Sequence, residues 1–155
     1  MKKITGLIIC GFPGVGKSTA ERMRKDVADV ESTGFHWKVD ENGFLTHDEN
    51  ENWVSDYVDH IKDMASQYGY PYVLVSSHKK VREEMDKRGI PYVVVVPDKG
   101  LRDEYLIRYI MRGDIQSFIK TVYHHWDEWL DEIEASDAPV VHLSAGQTMT
   151  DILPI

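Results

Sequence analysis

Two apolar runs limit the folds open to this chain more than any other feature. YVLVSS (72–77) and PYVVVV (91–96) are continuous and rich in β-branched residues, without the polar alternation of a strand that faces water on one side. Strands of this kind are covered on both faces, which is the environment of a parallel sheet with crossover helices. ITGLIIC (4–10) has the same character, and shorter runs at 27–31 and 139–143 complete five predicted strands. Between them lie segments of helical period at 17–26, 48–68, 79–88, 101–111, 115–135 and 146–153, so the expected class is α/β. In the longest segment Phe118, Ile119, Val122, Tyr123, Trp126, Trp129, Leu130 and Ile133 recur at spacings of 1, 3 and 4, which assigns this stripe to the core. A chain of 155 residues, 42% hydrophobic and free of repeats or Pro-rich linkers, is expected to form one domain over 1–155.

The first apolar run leads directly into GFPGVGKS (11–18), followed by Thr19. This is a complete G-x-x-x-x-G-K-[ST] at a strand-to-helix junction. Gly11, Gly14 and Gly16 allow a tight turn whose backbone N–H groups point inward, where side chains would block an approaching phosphate. The following helix adds its positive N-terminus. Lys17 is placed to bridge the β and γ phosphates of a nucleotide, and the Ser18 hydroxyl to take one position on Mg²⁺. The run Gly11, Gly14, Val15, Gly16, Lys17, Ser18 and Thr19 is therefore the expected nucleotide-binding set, with ATP and Mg²⁺ as its ligands.

Charge narrows the partners. A net charge of -8 argues against generic binding to nucleic acid or an anionic membrane. Between Asp40 and Asp63 eight acidic residues face Lys62 as the single basic one, while basic residues gather at Lys79, Lys80 and Arg82 and again at Arg102, Arg108 and Arg112. No apolar stretch approaches the roughly 20 residues of a bilayer span, and no cleavable signal follows the Met-Lys-Lys start, so a cytoplasmic location is expected. Cys10 is the only cysteine and lies within an apolar run, which reads as a reduced, buried thiol. The adjacent His124 and His125 point to different sides of a helix and make no metal pair.

The motif alone leaves several nucleotide-handling classes open. A guanine-reading N/T-K-x-D is absent, and the D-x-x-G string from Asp86 to Gly89 ends a helix, where it could not watch a γ-phosphate. Asp127-Glu128 is embedded in the amphipathic helix and reads as a solvated face rather than as the acidic pair of a mechanical ATPase. What remains is an acceptor-binding insertion after the second strand, about 32–70, and a basic lid after the fourth, about 98–114.

In this order of elements, over nearly the whole chain, the sequence resembles the P-loop kinases of small molecules, the nucleoside monophosphate kinase superfamily that includes adenylate, shikimate and gluconate kinases. SSHKKVREEMDKRGIPYVVVVP (76–97) is similar to the stretch after the third strand of gluconate-type kinases, and DVESTGFHW (29–37) to their acidic residue followed by a histidine. The resemblance implies a P-loop three-layer α/β/α sandwich on a five-stranded parallel sheet, and an ATP-dependent kinase of a small-molecule acceptor, monomeric or homodimeric. It also places the adenine near Ser144, Ala145, Gly146 and Gln147.

Strand alternation puts Asp29 and Glu31 on one face at the carboxyl end of the second strand, beside the crevice where open α/β sheets bind ligands. Asp29 is expected to take the acceptor's hydroxyl proton and to share Mg²⁺ with Ser18, and Glu31 to contact the acceptor. The two roles can be exchanged. The third strand ends in Ser76-Ser77-His78, a departure from the family's Walker B aspartate, so Ser76 or Ser77 is a further candidate for the metal. Phe35, His36, Trp37, Phe44, Trp53 and Tyr57 are aromatics that either stack on an acceptor or form the insertion's own small core. His36 and Trp37 are the substrate-binding candidates among them. Between Arg24 and Arg82 there is no arginine to hold an acceptor phosphate; either Lys79, Lys80 and Arg82 substitute, or the acceptor carries none. Arg108 and Arg112, four apart on one helix face, are the lid cations expected to stabilise the transferring phosphoryl group. A nucleoside or nucleotide leads as acceptor, with a gluconate-like polyol acid second. Phosphorylation of a nucleic-acid hydroxyl fits the acidic surface poorly. A slowly hydrolysing nucleotide-binding regulator is the alternative of another class.

Overall fold

The computed structural model of the chain describes residues 3–154. Five parallel strands form the main sheet: β1 (Leu7–Gly11), β2 (Val27–Asp29), β5 (Tyr72–Ser76), β6 (Val93–Pro97) and β7 (Val140–Leu143). Their spatial order is β2-β5-β1-β6-β7. The chain leaves β1 for the far edge, returns to pair β5 beside β1, and then crosses to β6 on the other side. The end of β1 is thus the place where crossovers diverge, which in open α/β sheets is where ligands bind. Register aligns Gly11 with Ser76 on one side and Val95 on the other, so the loop after β1 emerges level with the carboxyl ends of both neighbours.

Burial accounts for the strand choice. Ile8, Ile9, Cys10, Val73, Leu74, Val75, Val94, Val95 and Val96 are all buried, as continuous apolar runs demand. The helices α1 (Lys17–Met23), α3 (Trp53–Ala65), α4 (Lys79–Lys87), α5 (Arg102–Met111), α6 (Gln116–Ala135) and α7 (Met149–Ile152) cover the sheet. On α6 the buried stripe is Val122, Trp126, Leu130 and Ile133, with the Trp126 indole N–H donating to the Lys99 carbonyl at 2.7 Å. Tyr123, expected in that stripe, is exposed, and Trp129 is half-buried.

Several boundaries differ from the sequence expectation: β1 starts at Leu7 rather than at 4, and α7 covers Met149–Ile152 rather than 146–153. β2 stops at Asp29 rather than continuing to Glu31, because the Val30 carbonyl is taken by the Tyr57 hydroxyl and ladder pairing ends there. The helix expected over 48–68 begins only at Trp53. Ahead of it the insertion holds a one-turn helix α2 (Thr33–His36) and an antiparallel hairpin of β3 (Trp37–Val39) and β4 (Leu45–Glu49). The hairpin turn is built by Asp40, whose carboxylate accepts from the backbone N–H of Asn42 and Phe44 at 2.9 Å each, with Gly43 at φ 85°. The helix expected over 17–26 ends at Met23, where Arg24 turns extended and its guanidinium forks onto Asp26 at 2.9 and 2.8 Å.

Candidate active site

The loop after β1 wraps inward as the motif requires. Gly14 and Gly16 have φ of 91° and 95°, which disfavour any residue with a Cβ. Space excludes one as well: a Cβ at Gly14 would lie 2.8 Å from the Tyr109 ring and 3.0 Å from that of Tyr105, and one at Gly16 would lie 3.2 Å from the Thr148 Cβ. The glycines are therefore required from behind as well as from the phosphate side, because α5 and the start of α7 press on the loop. The Tyr109 hydroxyl donates to the Pro13 carbonyl at 2.8 Å, and the Met149 N–H to the Val15 carbonyl at 2.7 Å. Lys17 is half-buried, with its ammonium donating to the Gly11 carbonyl at 2.9 Å. Burial pulls its pKa below the ordinary lysine value, against the raising influence of Asp29 and Glu31.

A cavity of about 970 Å³ opens over this loop. Gly11, Gly14, Gly16, Lys17, Ser18 and Thr19 form one side; Glu31, Ser32 and Thr33 beyond β2 and Ser76 and Ser77 beyond β5 form the other. Arg108, Arg112, Gly146 and Thr148 complete it, and Arg22 on α1 joins them without any signal in the sequence beyond its place one turn past Ser18. The volume falls at the upper end of the roughly 300–1,000 Å³ of small-molecule sites.

Asp29 sits behind the wall of this cavity. One of its carboxylate oxygens is buried without a hydrogen-bond partner, and its backbone N–H donates to the Glu21 carboxylate at 2.6 Å. Burial pushes its pKa up to about 6, Glu31 and Glu21 add to the rise, and Lys17 opposes it. An orphaned buried oxygen within the electrostatic reach of Lys17 suits a Mg²⁺ that keeps most of its water and takes few protein ligands. Among the described residues no group of three or more His, Cys, Asp and Glu side chains could hold a metal ion.

Arg108, on α5, and Arg112, at the helix's C-terminal cap, differ. Arg108 is not a free lid cation: its guanidinium donates to the Gly14 carbonyl at 2.9 Å and the Gln147 carbonyl at 2.8 Å, pairs with Glu104 at 2.9 Å, and lies 4.2 Å over the Tyr105 ring. It bolts the phosphate loop to the loop after β7. The packing of Tyr105 and Tyr109 against Gly14 places Arg108 there, a contact that only the tertiary structure makes. Arg112 is more open, paired with Asp114 at 2.5 Å and lying over the rings of Tyr109 and Phe118. In the loop after β7 the Gly146 N–H is held by Glu104 at 3.2 Å, and Gln147 folds back onto the Ser144 N–H at 2.8 Å.

His36, Trp37 and Arg82 lie outside the lining of the large cavity. His36 stacks on Trp53 at 4.7 Å and 22°, with Trp37 beside it, while Phe35 packs against Tyr57 and His60. Trp53 and Tyr57 are buried, whereas Phe44 is 70% exposed, so most of these aromatics hold the insertion together. Arg82 is 4% exposed, its guanidinium locked by Glu132 and by the Ser77 carbonyl at 2.9 Å. Tyr57, expected only as one of the insertion's stacking or core aromatics, also joins the two sides through its hydroxyl. Its hydroxyl donates to the Val30 carbonyl and accepts from the Ser76 N–H at 3.1 Å, tying the ends of β2 and β5 to α3.

The fold and the geometry of the β1–α1 loop together define the P-loop kinase fold, a five-stranded parallel sheet flanked by helices. Among solved structures, a tunicamycin resistance protein from Deinococcus radiodurans superimposes with a TM-score of 0.57 at 18% identity, covering 95% of this chain and 91% of that one. A gluconokinase from Sinorhizobium meliloti 1021 does so with a TM-score of 0.54 at 17% identity, covering 97% and 89%. No protein-family model and no curated protein matches the sequence. Among the described residues no helix is long and apolar enough to cross a membrane.

Proposed function

We propose that the chain is an ATP-dependent phosphotransferase that moves a γ-phosphate to the hydroxyl of a small-molecule acceptor, a nucleoside or nucleotide first and a polyol acid second. The observation that carries this reading is that one cavity is walled both by the phosphate loop and by Glu31, Ser76 and Ser77. A second polar wall facing the phosphate loop offers hydrogen-bonding groups and space for an acceptor beside the nucleotide.

In this reading the backbone of residues 11–19 and Lys17 hold the polyphosphate, and Arg112 neutralises charge that builds on the transferring group. Arg108 acts through the carbonyls of Gly14 and Gln147, keeping the loops on either side of the nucleotide in register. Ser18 and Asp29 would hold Mg²⁺, which supplies charge neutralisation of the phosphates. Asp29 is the carboxylate that receives the acceptor's hydroxyl proton. Glu31 positions the acceptor on the exposed side. The region 98–114 serves as the lid and 32–70 as the acceptor insertion.

The test is a coupled ADP-release screen across nucleosides, nucleoside monophosphates and sugar acids. Release that rises with one acceptor class supports transfer. Slow release indifferent to every acceptor replaces it with a nucleotide-hydrolysing regulator.

A further inference from the structure

A second cavity, of about 370 Å³, lies between the start of α4 and the middle of α6, within the size range of small-molecule sites. Pro13, Ser76, Ser77 and Phe118 belong to the walls of both cavities, so the two adjoin at the carboxyl end of β5. Its walls are mainly apolar. Phe118 stands edge-on to Tyr109 at 5.7 Å, and Trp129 is stacked on His125 at 5.2 Å and 10°. Both rings are half-buried, held in place yet not consumed by the core. The periodicity that assigns Trp129 to the core overlooks that it stands at the edge of the stripe, beside a gap.

Electrostatics restricts what can enter. Arg82 is the buried charge of this site, and Glu132 and the Ser77 carbonyl already occupy its guanidinium. At the rim Lys79 and Glu128 carry opposite signs. Inside the cavity an incoming phosphate or carboxylate would meet a neutralised cation with Glu132 behind it, leaving only the exposed Lys79 at the rim and His78, whose pKa burial lowers, to offset its lost hydration. A flat uncharged ring meets aromatic walls suited to stacking or edge contact, and the hydroxyls of Ser76 and Ser77 stand at the junction with the larger cavity.

We infer that this second cavity receives the body of the phosphoryl acceptor, and that the acceptor is an uncharged alcohol bearing a planar apolar ring. The inference rests on the phosphotransfer reading of the larger cavity, and it moves the seat of the acceptor's body away from the 32–70 insertion, none of whose residues line the second cavity, leaving Glu31 to face the reacting hydroxyl. The acceptor's hydroxyl then projects past Ser76 and Ser77 toward the phosphate loop. In the transfer the acceptor oxygen bonds to the γ-phosphorus of the nucleoside triphosphate, and the bond from that phosphorus to the β,γ-bridging oxygen breaks. The hydroxyl proton passes to the carboxylate at the end of β2, and the nucleoside diphosphate leaves with the electron pair of the broken bond.

Two measurements on the full chain separate this inference from the reading beneath it. The first is saturation-transfer NMR with p-nitrobenzyl alcohol as a probe, on the wild type, Trp129→Ala and the milder Trp129→Leu. Transfer to the ring protons in the wild type, clearly weakened in both variants, is expected. No transfer in the wild type, or transfer that both variants keep, overturns the inference whatever the enzyme does. The second is ADP release with neutral aromatic alcohols and nucleosides, nucleoside monophosphates, and sugar acids as separate arms. The neutral arm is expected to give the highest kcat/KM, and Trp129→Ala to raise its KM by about tenfold, the order expected for a lost aromatic contact, while the KM for ATP stays put. A monophosphate or sugar acid as the best acceptor, or an unmoved acceptor KM, overturns the inference and leaves phosphotransfer standing. If the probe binds but no acceptor of any class raises ADP release, the phosphotransfer reading falls, and the assignment of this cavity to an acceptor falls with it.

Discussion

The phosphate loop and the β3–β4 hairpin of the insertion are both glycine-containing turns between regular elements, but they are held in opposite ways. The loop is gripped from three directions: Tyr109 on Pro13, Arg108 on Gly14, and Met149 on Val15. The hairpin is held by its own turn at Asp40 and by Asn50, which reaches back to the carbonyls of Phe35 and His36 at 3.1 and 2.8 Å. A loop that must present fixed donors to a phosphate is built into the body of the fold, since misplaced donors lose most of their electrostatic effect. The hairpin is a local unit, and the insertion joins the body of the fold through α3, where Tyr57 reaches the ends of β2 and β5 and Arg88 holds Asp59 and Ser55.

The contrast is broken most severely at Lys17. Lys17→Ala is expected to lower acceptor-dependent ADP release by about 10³-fold or more, with a melting temperature no lower than the wild type's, because a half-buried cation with a depressed pKa adds little to the unliganded fold. Retained turnover would show that the loop does not handle the transferring phosphate.

The arginines sharpen the comparison between gripping and presenting. Arg112→Ala is expected to reduce kcat/KM by about 10²-fold with less than about 1 kcal/mol lost from stability, as for a partly exposed ion pair. Arg108→Ala should lose activity together with roughly 1–3 kcal/mol of stability, because the Gly14 and Gln147 carbonyls lose a charged donor. Parallel kinetics and melting curves decide the matter, and equal behaviour of the two variants would erase the distinction.

Asp29 separates function from stability. Its carboxyl is raised from 3.8 to about 6 in the folded protein, so the native state binds this proton more tightly than the unfolded chain does. Stability from this group therefore falls as pH rises between those values, and above about pH 6 the ionised carboxylate is a net cost. Asp29→Asn should lower kcat by about 10²-fold, yet stabilise the metal-free, nucleotide-free protein at pH 8 by on the order of 1–2 kcal/mol, after allowance for its partial exposure. That gain should vanish near pH 4. A lower melting temperature at pH 8 would remove the argument, and a kcat loss found in Glu31→Gln instead would exchange the two carboxylates.

The smallest effect belongs to the hairpin. Asp40→Ala removes two backbone bonds of the turn and should cost about 1 kcal/mol locally, read as faster amide exchange over 40–49 with ATP turnover nearly unchanged. Exchange that spreads to the phosphate loop would mean that the two regions are coupled after all.

Much of this molecule is legible in its residues because the responsible physics is local. The runs around Ile8, Val73 and Val94 mark strands covered on both faces, and the nine residues from Gly11 to Thr19 mark a phosphate cradle, since φ > 0 and inward N–H groups are demands on single positions. The hairpin over 37–49 escaped because its alternation is carried by polar residues such as Thr46, His47 and Asp48, which also fit an acidic helix face. Three assignments were decided only by tertiary structure. Arg108 became a brace because the buried Tyr105 and Tyr109 bring α5 down onto Gly14. Arg82 was withdrawn from the large cavity because Glu132, fifty residues away on α6, neutralises it in the core. Asp29 was left with an orphaned, buried carboxylate oxygen, and burial together with Glu31 raises its pKa. Spacing along the chain sets which side chains a turn or a strand presents; which of their charges remain free depends on distant elements that no local pattern specifies.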